Sequence, residues 1–315
     1  MRELNALPLP ELYARLATNG LTRRLIELAR DEDLGPDGAD LTGAVALRPS
    51  DRLRVTLVTR TPCTLAGLAA IPELIQTFGG GIVYEPIEAD GRAVNAGAPL
   101  ARLAGPARTI VALERTLLNL VARLSGVATL TARYAAETKR GAEQAGLDPD
   151  TIAVYDTRKT TPGLRVFEKY AVRCGGGRVH RLGLHDAVLV KDNHLAPIPL
   201  ERLGAHVAEL SAAARRAAPN ARFIEIEVDT LDQLRAITPL PPGTIDLVLL
   251  DNMAPDRLRE AARWRDAHAP HLGLEASGGV RLETIAEIAA TGVDRISAGA
   301  LTHSAASADL AFDAD

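Results

Sequence analysis

The sequence predicts an α/β protein with two parts: a larger parallel barrel of repeated βα units and, N-terminal to it, a smaller β-rich domain. Three observations predict it. From about residue 151 onward, six short apolar runs, TIAVYDT, DAVLVKD, RFIEIEVD, IDLVLLDN, LGLEASGG and DRISAGAL, alternate with helical stretches. The residues that close these runs, Lys159, Lys191, Glu227, Asp251, Ser277 and Gly299, stand 32, 36, 24, 26 and 22 positions apart, and each interval suits one βα repeat. Upstream, roughly residues 50 to 106 carry Gly/Pro-punctuated strand runs such as LRVTLVTR, GIVYEPIEADG and APLARLAGPAR without that rhythm.

Taken in chain order, the opening MRELNALPLPELYARL has charges interrupting each apolar stretch, so it lacks the apolar core of a secretory signal. The punctuated strands of the small domain follow. From Ala107 to about Arg140 the chain has helical periodicity and predicts a connecting helix, broken near Ser125-Gly126. The βα repeats come next, with Pro-Asn-Ala around Asn220 and the Pro239 to Gly243 run as connections inside them. Strand ends in a barrel converge on one mouth, which accounts for polar groups closing six successive units. An open doubly wound sheet shares the strand-end rule but would spread those groups along a crevice. The expected domains are residues 1–125, including the start of the connecting helix, and the barrel at 126–300, with 301–315 returning to the small domain.

Composition narrows the function. A chain of 315 residues with 47% hydrophobic content can bury a large core. No run of 18 apolar residues is present, so no membrane span is expected. A net charge of −4 and 3% aromatic residues argue against nucleic acid, which needs a basic face and stacking platforms. Cys63 and Cys174 match no metal or redox spacing and read as free thiols in a reducing cytoplasm.

Against this acidic background, Asp156 to Leu195 holds eight Lys/Arg, four Asp/Glu and three histidines. Cations gathered beside glycines and short strands have little structural use unless an anion sits among them, so the segment predicts a pocket for a multiply charged anionic small molecule. Arg158, Lys159, His180, Arg181 and Lys191 fall at strand ends or turns. Lys169, Arg173 and Arg178 fall on helical or loop stretches and read as surface residues. Arg115 sits mid-helix, where arginines usually face water. In RFIEIEVD, alternation puts Glu225, Glu227 and Asp229 on one face. With Asp251 these acids could bind a hard cation such as Mg²⁺ or pair with pocket arginines. Glu275-Ala-Ser-Gly-Gly279 and Ser297-Ala-Gly-Ala300 each precede an expected helix start and offer close backbone approach to phosphate, or serve as ordinary tight turns. No GxxxxGK[ST] motif occurs, Gly175-Gly-Gly177 departs from the dinucleotide fingerprint, and the histidines form no HExxH array.

At these residues the chain resembles the quinolinate phosphoribosyltransferases. The resemblance runs from Glu32-Asp-Leu-Gly35 and Asp40-Leu-Thr42 through Glu114-Arg-Thr-Leu-Leu-Asn119 and Ser125-Gly-Val-Ala-Thr129 to Gly299-Ala-Leu-Thr-His-Ser304; its most specific parts are DTRKTTPG at 156–163 and Lys191-Asp-Asn-His194. It implies a small N-terminal α/β sandwich domain followed by an incomplete, TIM-like α/β barrel. It also implies a homodimer with shared active sites. By position, the family's quinolinate-binding cations fall on Arg158, His180, Arg181 and Lys191, with Arg115 supplied by the neighbouring subunit. Lys159 matches the lysine near the reacting centre, Glu227 and Asp251 the catalytic acids around Mg²⁺ and the ribose, and Ser277, Gly278 and Gly299 the phosphate loops. Val179 stands where the family usually has Asn.

The implied reaction is Mg²⁺-dependent phosphoribosyl transfer from phosphoribosyl pyrophosphate to quinolinate with decarboxylation, a step of NAD biosynthesis. Two rivals are a same-fold enzyme acting on a monocarboxylate such as nicotinate, which would release no CO₂, and a non-catalytic anion-binding barrel. The second rival gives no reason for carboxylates opposite the cations.

Overall fold

The computed structural model describes residues 4–314, which divide into two compact units. One contains residues up to 132 together with 160–177 and the chain from 301 onward; the other contains 133–159 and 178–300.

In the first unit, α1 (Leu9–Ala17), α2 (Leu21–Leu34) and α3 (Leu41–Ala46) precede the strands, and Asp40 caps α3 by accepting from the Gly43 N–H. Strands β1 (Arg52–Thr59), β2 (Cys63–Thr64), β3 (Val83–Pro86), β4 (Ala93–Val94) and β5 (Pro99–Pro106) follow, with α4 (Ile71–Thr77) between β2 and β3. β1 pairs antiparallel with β5, and β5 with β3. The chain's last strand, Leu310–Ala314, lies along the other edge of β1, while β2 and β4 form a separate pair. Cys63 and Cys174 are buried free thiols.

Helix α5 (Ala107–Gln144) is continuous, so the expected break at Ser125-Gly126 does not occur. Ile110, Leu113, Leu117, Val121, Leu124 and Ala128 recur at three- and four-residue spacing and are all buried, which is the stripe that holds the helix against its unit. Gly126 serves close packing instead of a break. A Cβ there would lie 1.9 Å from the Ala306 carbonyl oxygen, so only glycine lets the C-terminal segment approach. The neighbouring Ser125 Oγ receives the Ala66 N–H at 3.2 Å.

The second correction concerns Lys169 on α6 (Arg165–Cys174), which is fully buried and not a surface residue. Its neighbour Glu168, also fully buried, accepts from Arg123 at 2.8 Å and from the Thr161 N–H at 3.0 Å and Oγ1 at 2.8 Å. Packing against α1 and α2 covers α6, and a local reading of charge cannot see that.

In the second unit, β6 (Ala153–Tyr155), β7 (Val188–Val190), β8 (Ile224–Val228), β9 (Leu247–Asp251), β10 (Gly273–Ser277) and β11 (Arg295–Ser297) coincide with the six predicted runs. They form one parallel sheet in the order β6-β11-β10-β9-β8-β7. Neighbours from β7 to β11 follow chain order and β11 returns to pair with β6, a cyclic order that belongs to a barrel with one gap and not to a doubly wound sheet. The gap lies between β6 and β7, where only an isolated bridge, Tyr155 to Arg178, extends the sheet. The connections carry α7 (Asp192–Leu195), α8 (Leu200–Ala217), α9 (Leu231–Ile237), α10 (Pro255–His268) and α11 (Ile285–Ala289); α12 (Ala300–His303) follows β11 and leads to β12 (Leu310–Ala314).

Side chains in register on parallel strands share a face, so the register sorts the whole sheet. Ile226, Val228, Val248, Leu250, Leu274 and Ile296 occupy the helix-covered face and are almost entirely buried. Glu225, Glu227, Asp251, Glu275, Ser277, Arg295 and Ser297 share the other, interior face. At the N-terminal ends of the strands that interior begins with a buried apolar cluster of Ala187, Phe223 and Leu247. Among the described residues, no helix is long and apolar enough to cross a membrane.

Candidate active site

The bridge beside β6 begins the site. Arg178 N–H donates to Val154 O at 2.9 Å and Asp156 N–H to Arg178 O at 3.1 Å, so residues 178–180 run next to the end of β6. Asp156, fully buried, then accepts the His180 N–H at 3.0 Å. The following loop is fixed by Asp186, which accepts the N–H groups of Leu182 at 2.8 Å and Gly183 at 3.0 Å. These bonds bring His180 and Arg181 beside Arg158. Val179, fully buried, fills the position before them with an apolar side chain.

Arg181 is only 6% exposed, and neither it nor Arg158 makes a side-chain hydrogen bond or salt bridge to a described residue. Burial first, and Arg158 second, push the Arg181 guanidinium below the usual arginine range, while Glu225, Asp186 and Glu227 work in the opposite direction. The Arg158 Nε is itself buried without a partner among the described residues. Two guanidinium groups held close without carboxylates on them form a preformed place for an anion.

Lys191, at the end of β7, places Nζ 3.2 Å from Oε2 of Glu227, and Glu227 is nearly buried on β8. Asp251 closes β9 on the same interior face, and its Oδ2 accepts from Asn252 Nδ2 at 2.6 Å. Asn252 is the single non-glycine residue with positive φ, 52°, among the described residues, and its N–H donates to Ser277 O at 2.9 Å. Gly278 (φ 89°) sits against it: a Cβ there would lie 2.3 Å from Asn252 Oδ1. Ser277 and Asp251 are direct register partners, so the β9 and β10 loops meet. Burial, Asp192 and Asp251 raise the Asp229 carboxyl above its usual range, which marks surplus negative charge at these strand ends.

The two expected phosphate turns differ. Gly299 leads directly into α12, whereas the turn at 277–279 is followed by further turns and reaches α11 only at Ile285. There Thr284 Oγ1 receives the Arg281 N–H, a local bond that delays the helix. Lys159 is exposed after β6, with its N–H on Thr157 Oγ1 at 3.0 Å. Arg115 is exposed on the part of α5 that belongs to the other unit.

Deeper in the interior lies a group the sequence reading did not assemble. His180 Nε2 stands 3.1 Å from Glu225 Oε2 and 3.2 Å from Glu275 Oε1, and all three side chains are buried. Burial alone would lower the His180 pKa, but Glu275 and Glu225 outweigh it and push it up to about 10. Burial and Glu275 raise Glu225; burial also acts to raise Glu275, but His180 and Arg295 hold it down. Arg295 lies over the rings of Tyr155 at 4.9 Å and Phe223 at 5.7 Å. The available signal was two glutamates alternating inside an apolar strand, but Glu275 read only as the start of a glycine turn.

Comparison with known proteins covers most of the chain. Residues 40–125 match the N-terminal domain and residues 127–313 the C-terminal domain of quinolinate phosphoribosyl transferase. A carboxylating nicotinate-nucleotide pyrophosphorylase of Mycobacterium leprae is 40% identical over 92% of this chain and 96% of its own. A probable one of Bacillus subtilis is 38% identical over 90% and 89%. The solved nicotinate-nucleotide pyrophosphorylase of Francisella tularensis superposes with a TM-score of 0.79 at 30% identity, covering all of both chains. With both domains matched and a barrel whose interior is charged where most barrels are apolar, the chain belongs to the quinolinate phosphoribosyltransferase family.

Proposed function

We propose that this protein transfers the phosphoribosyl group of phosphoribosyl pyrophosphate to the ring nitrogen of quinolinate and releases CO₂, giving nicotinate mononucleotide and pyrophosphate for NAD biosynthesis. The observation that carries the reading is the pair Arg158 and Arg181, unpaired by carboxylates of the described residues and adjacent to His180. A dicarboxylate supplies the missing countercharge. Arginine forks grip carboxylates bidentately, and Lys191 adds a mobile point charge.

In this reading the cations orient quinolinate so that its nitrogen faces the anomeric carbon. The C–O bond to pyrophosphate breaks as the N–C bond forms, so negative charge moves onto the leaving group. Lys159, at the end of β6, stabilises that charge, and backbone N–H groups at Ser277, Gly278 and Gly299 hold phosphate. The ring nitrogen, now ribosylated and cationic, stabilises the carbanion left on the adjacent ring carbon when its carboxylate departs as CO₂. Protonation of that carbon completes nicotinate mononucleotide.

The strand-end acids fit Mg²⁺, since Glu227 and Asp251 offer hard oxygen donors and Asp229 registers uncompensated negative charge beside Asp251. When bound, the ion neutralises charge on the pyrophosphate. Residues 126–300 would carry the chemistry, and residues 1–125, with 301–315, the supporting domain. The active form is a homodimer in which a second copy supplies Arg115. Its support is that Arg115 is exposed and that Val111, one turn earlier on α5, and Leu41 and Val45 on α3 leave large apolar side chains exposed.

Incubation with quinolinate, phosphoribosyl pyrophosphate and Mg²⁺ tests the reading. Nicotinate mononucleotide and CO₂ in equal amounts are expected. Turnover of nicotinate without CO₂, or binding without turnover, would overturn it.

A further inference from the structure

The buried group around His180 carries a role beyond anion binding by His180 itself. Both carboxylates approach the same ring nitrogen, Nε2, at 3.1 and 3.2 Å, from β8 and β10. Both are fully buried, and their approach to Nε2 is an ionic contact, outside strict hydrogen-bond geometry; the Ser297 side chain on β11 also favours the charged form of Glu275. A buried carboxylate requires a nearby positive charge. The charged groups facing this cluster are Glu225 on β8, Glu275 on β10, Arg295 on β11, and Asp156 and Arg181 beside His180; the Tyr155 and Phe223 rings close the sides at 6.3 and 5.1 Å. Arg295 balances one of the two glutamates. With a neutral imidazole the other would stand uncompensated; with an imidazolium the set is neutral.

We propose that Glu225 and Glu275 are positioning residues that hold His180 as an imidazolium in one ring orientation, so that the pocket presents a further permanent cation to the substrate carboxylates beside Arg158, Arg181 and Lys191. The proposal rests on the quinolinate reading only for the identity of that substrate. An imidazolium shares its charge over both ring nitrogens, so a carboxylate pair on Nε2 leaves Nδ1 a charged donor. A histidine whose pKa is raised to about 10 keeps its charge well above the usual imidazole range and loses it only as pH climbs through about 10; the stability it contributes is complete below about pH 6.5 and is lost over the same climb.

The test uses the full-length protein with ¹³C-labelled histidine, the His180 signal being assigned by its loss in His180→Gln. In the free protein His180 should remain charged through pH 9, and Glu275→Gln or Glu225→Gln should bring its titration down to near pH 7. The pH profile of kcat/KM for quinolinate should be flat from pH 6.5 to 8.5 in the natural protein and fall above pH 7 in either Gln variant. The loss should lie mainly in KM and recover to within about threefold at pH 6. If the Gln variants do not fold, Glu275→Asp, which keeps the charge, should fold and retain the flat profile. An ordinary His180 titration near pH 6.5 in the natural protein would overturn the proposal. So would a divalent ion found by elemental analysis and lost in Glu275→Gln, because Nε2 would then be a ligand and not a donor. Failure of the natural protein to turn over quinolinate would defeat the functional reading alone, since the titration of His180 needs no substrate.

Discussion

Replacing Arg181 by Met separates function from stability in opposite directions. Arg181 is 6% exposed, has no carboxylate of a described residue paired with it, and is destabilised in its charged form by burial and by Arg158 more than Glu225, Asp186 and Glu227 stabilise it. A positioned electrostatic group contributes about 2–4 kcal/mol to a transition state. At about 1.36 kcal/mol per decade, kcat/KM for quinolinate should fall ~30- to ~900-fold. In the free protein, however, Met removes a buried charge and keeps the length of the side chain. Replacement of buried ionic groups by apolar ones often gains about 1–4 kcal/mol. The melting temperature of Arg181→Met should therefore hold or rise by several degrees, as for other sites where activity is held at the expense of stability. Quinolinate at a hundred times its Kd should stabilise the natural protein by about 2.7 kcal/mol and leave the variant unmoved. Steady-state kinetics and thermal unfolding with and without quinolinate measure both halves. If kcat/KM stays within threefold, or if the melting temperature drops, the guanidinium is structural and the argument from an unpaired cation fails.

Other outcomes follow from named contacts. Lys159→Ala should lower kcat more than it raises KM, and an unchanged kcat would remove this exposed lysine from the reacting centre. Glu227→Gln and Asp251→Asn should raise the Mg²⁺ concentration needed for half-maximal rate, which a metal titration of initial velocity reads directly; an unaltered requirement would place the ion elsewhere. Gly126→Ala should destabilise although alanine is the better helix former by about 1 kcal/mol, because its Cβ would meet the Ala306 carbonyl at 1.9 Å. Overpacking of that kind costs about 1–3 kcal/mol, so a higher melting temperature would show that the C-terminal segment is not docked there.

The sequence by itself determined the strands and their faces. Each of the six apolar runs became a strand, because period-two alternation and βα spacing are local properties that the backbone enforces wherever the sheet forms. It also gave the cation-rich segment, since charge density needs no partner to be noticed. Tertiary structure decided what those charges meet. Lys169 read as solvated and is buried, because the helices that cover α6 are remote in the chain. Ser125-Gly126 read as a break and is mid-helix, because the glycine answers to Ala306 and not to its own neighbours. The Nε2 of His180 lies between Glu225 and Glu275, the latter 95 positions away in sequence. Parallel register sets such encounters, and a register is a relation between strands that neither strand encodes alone.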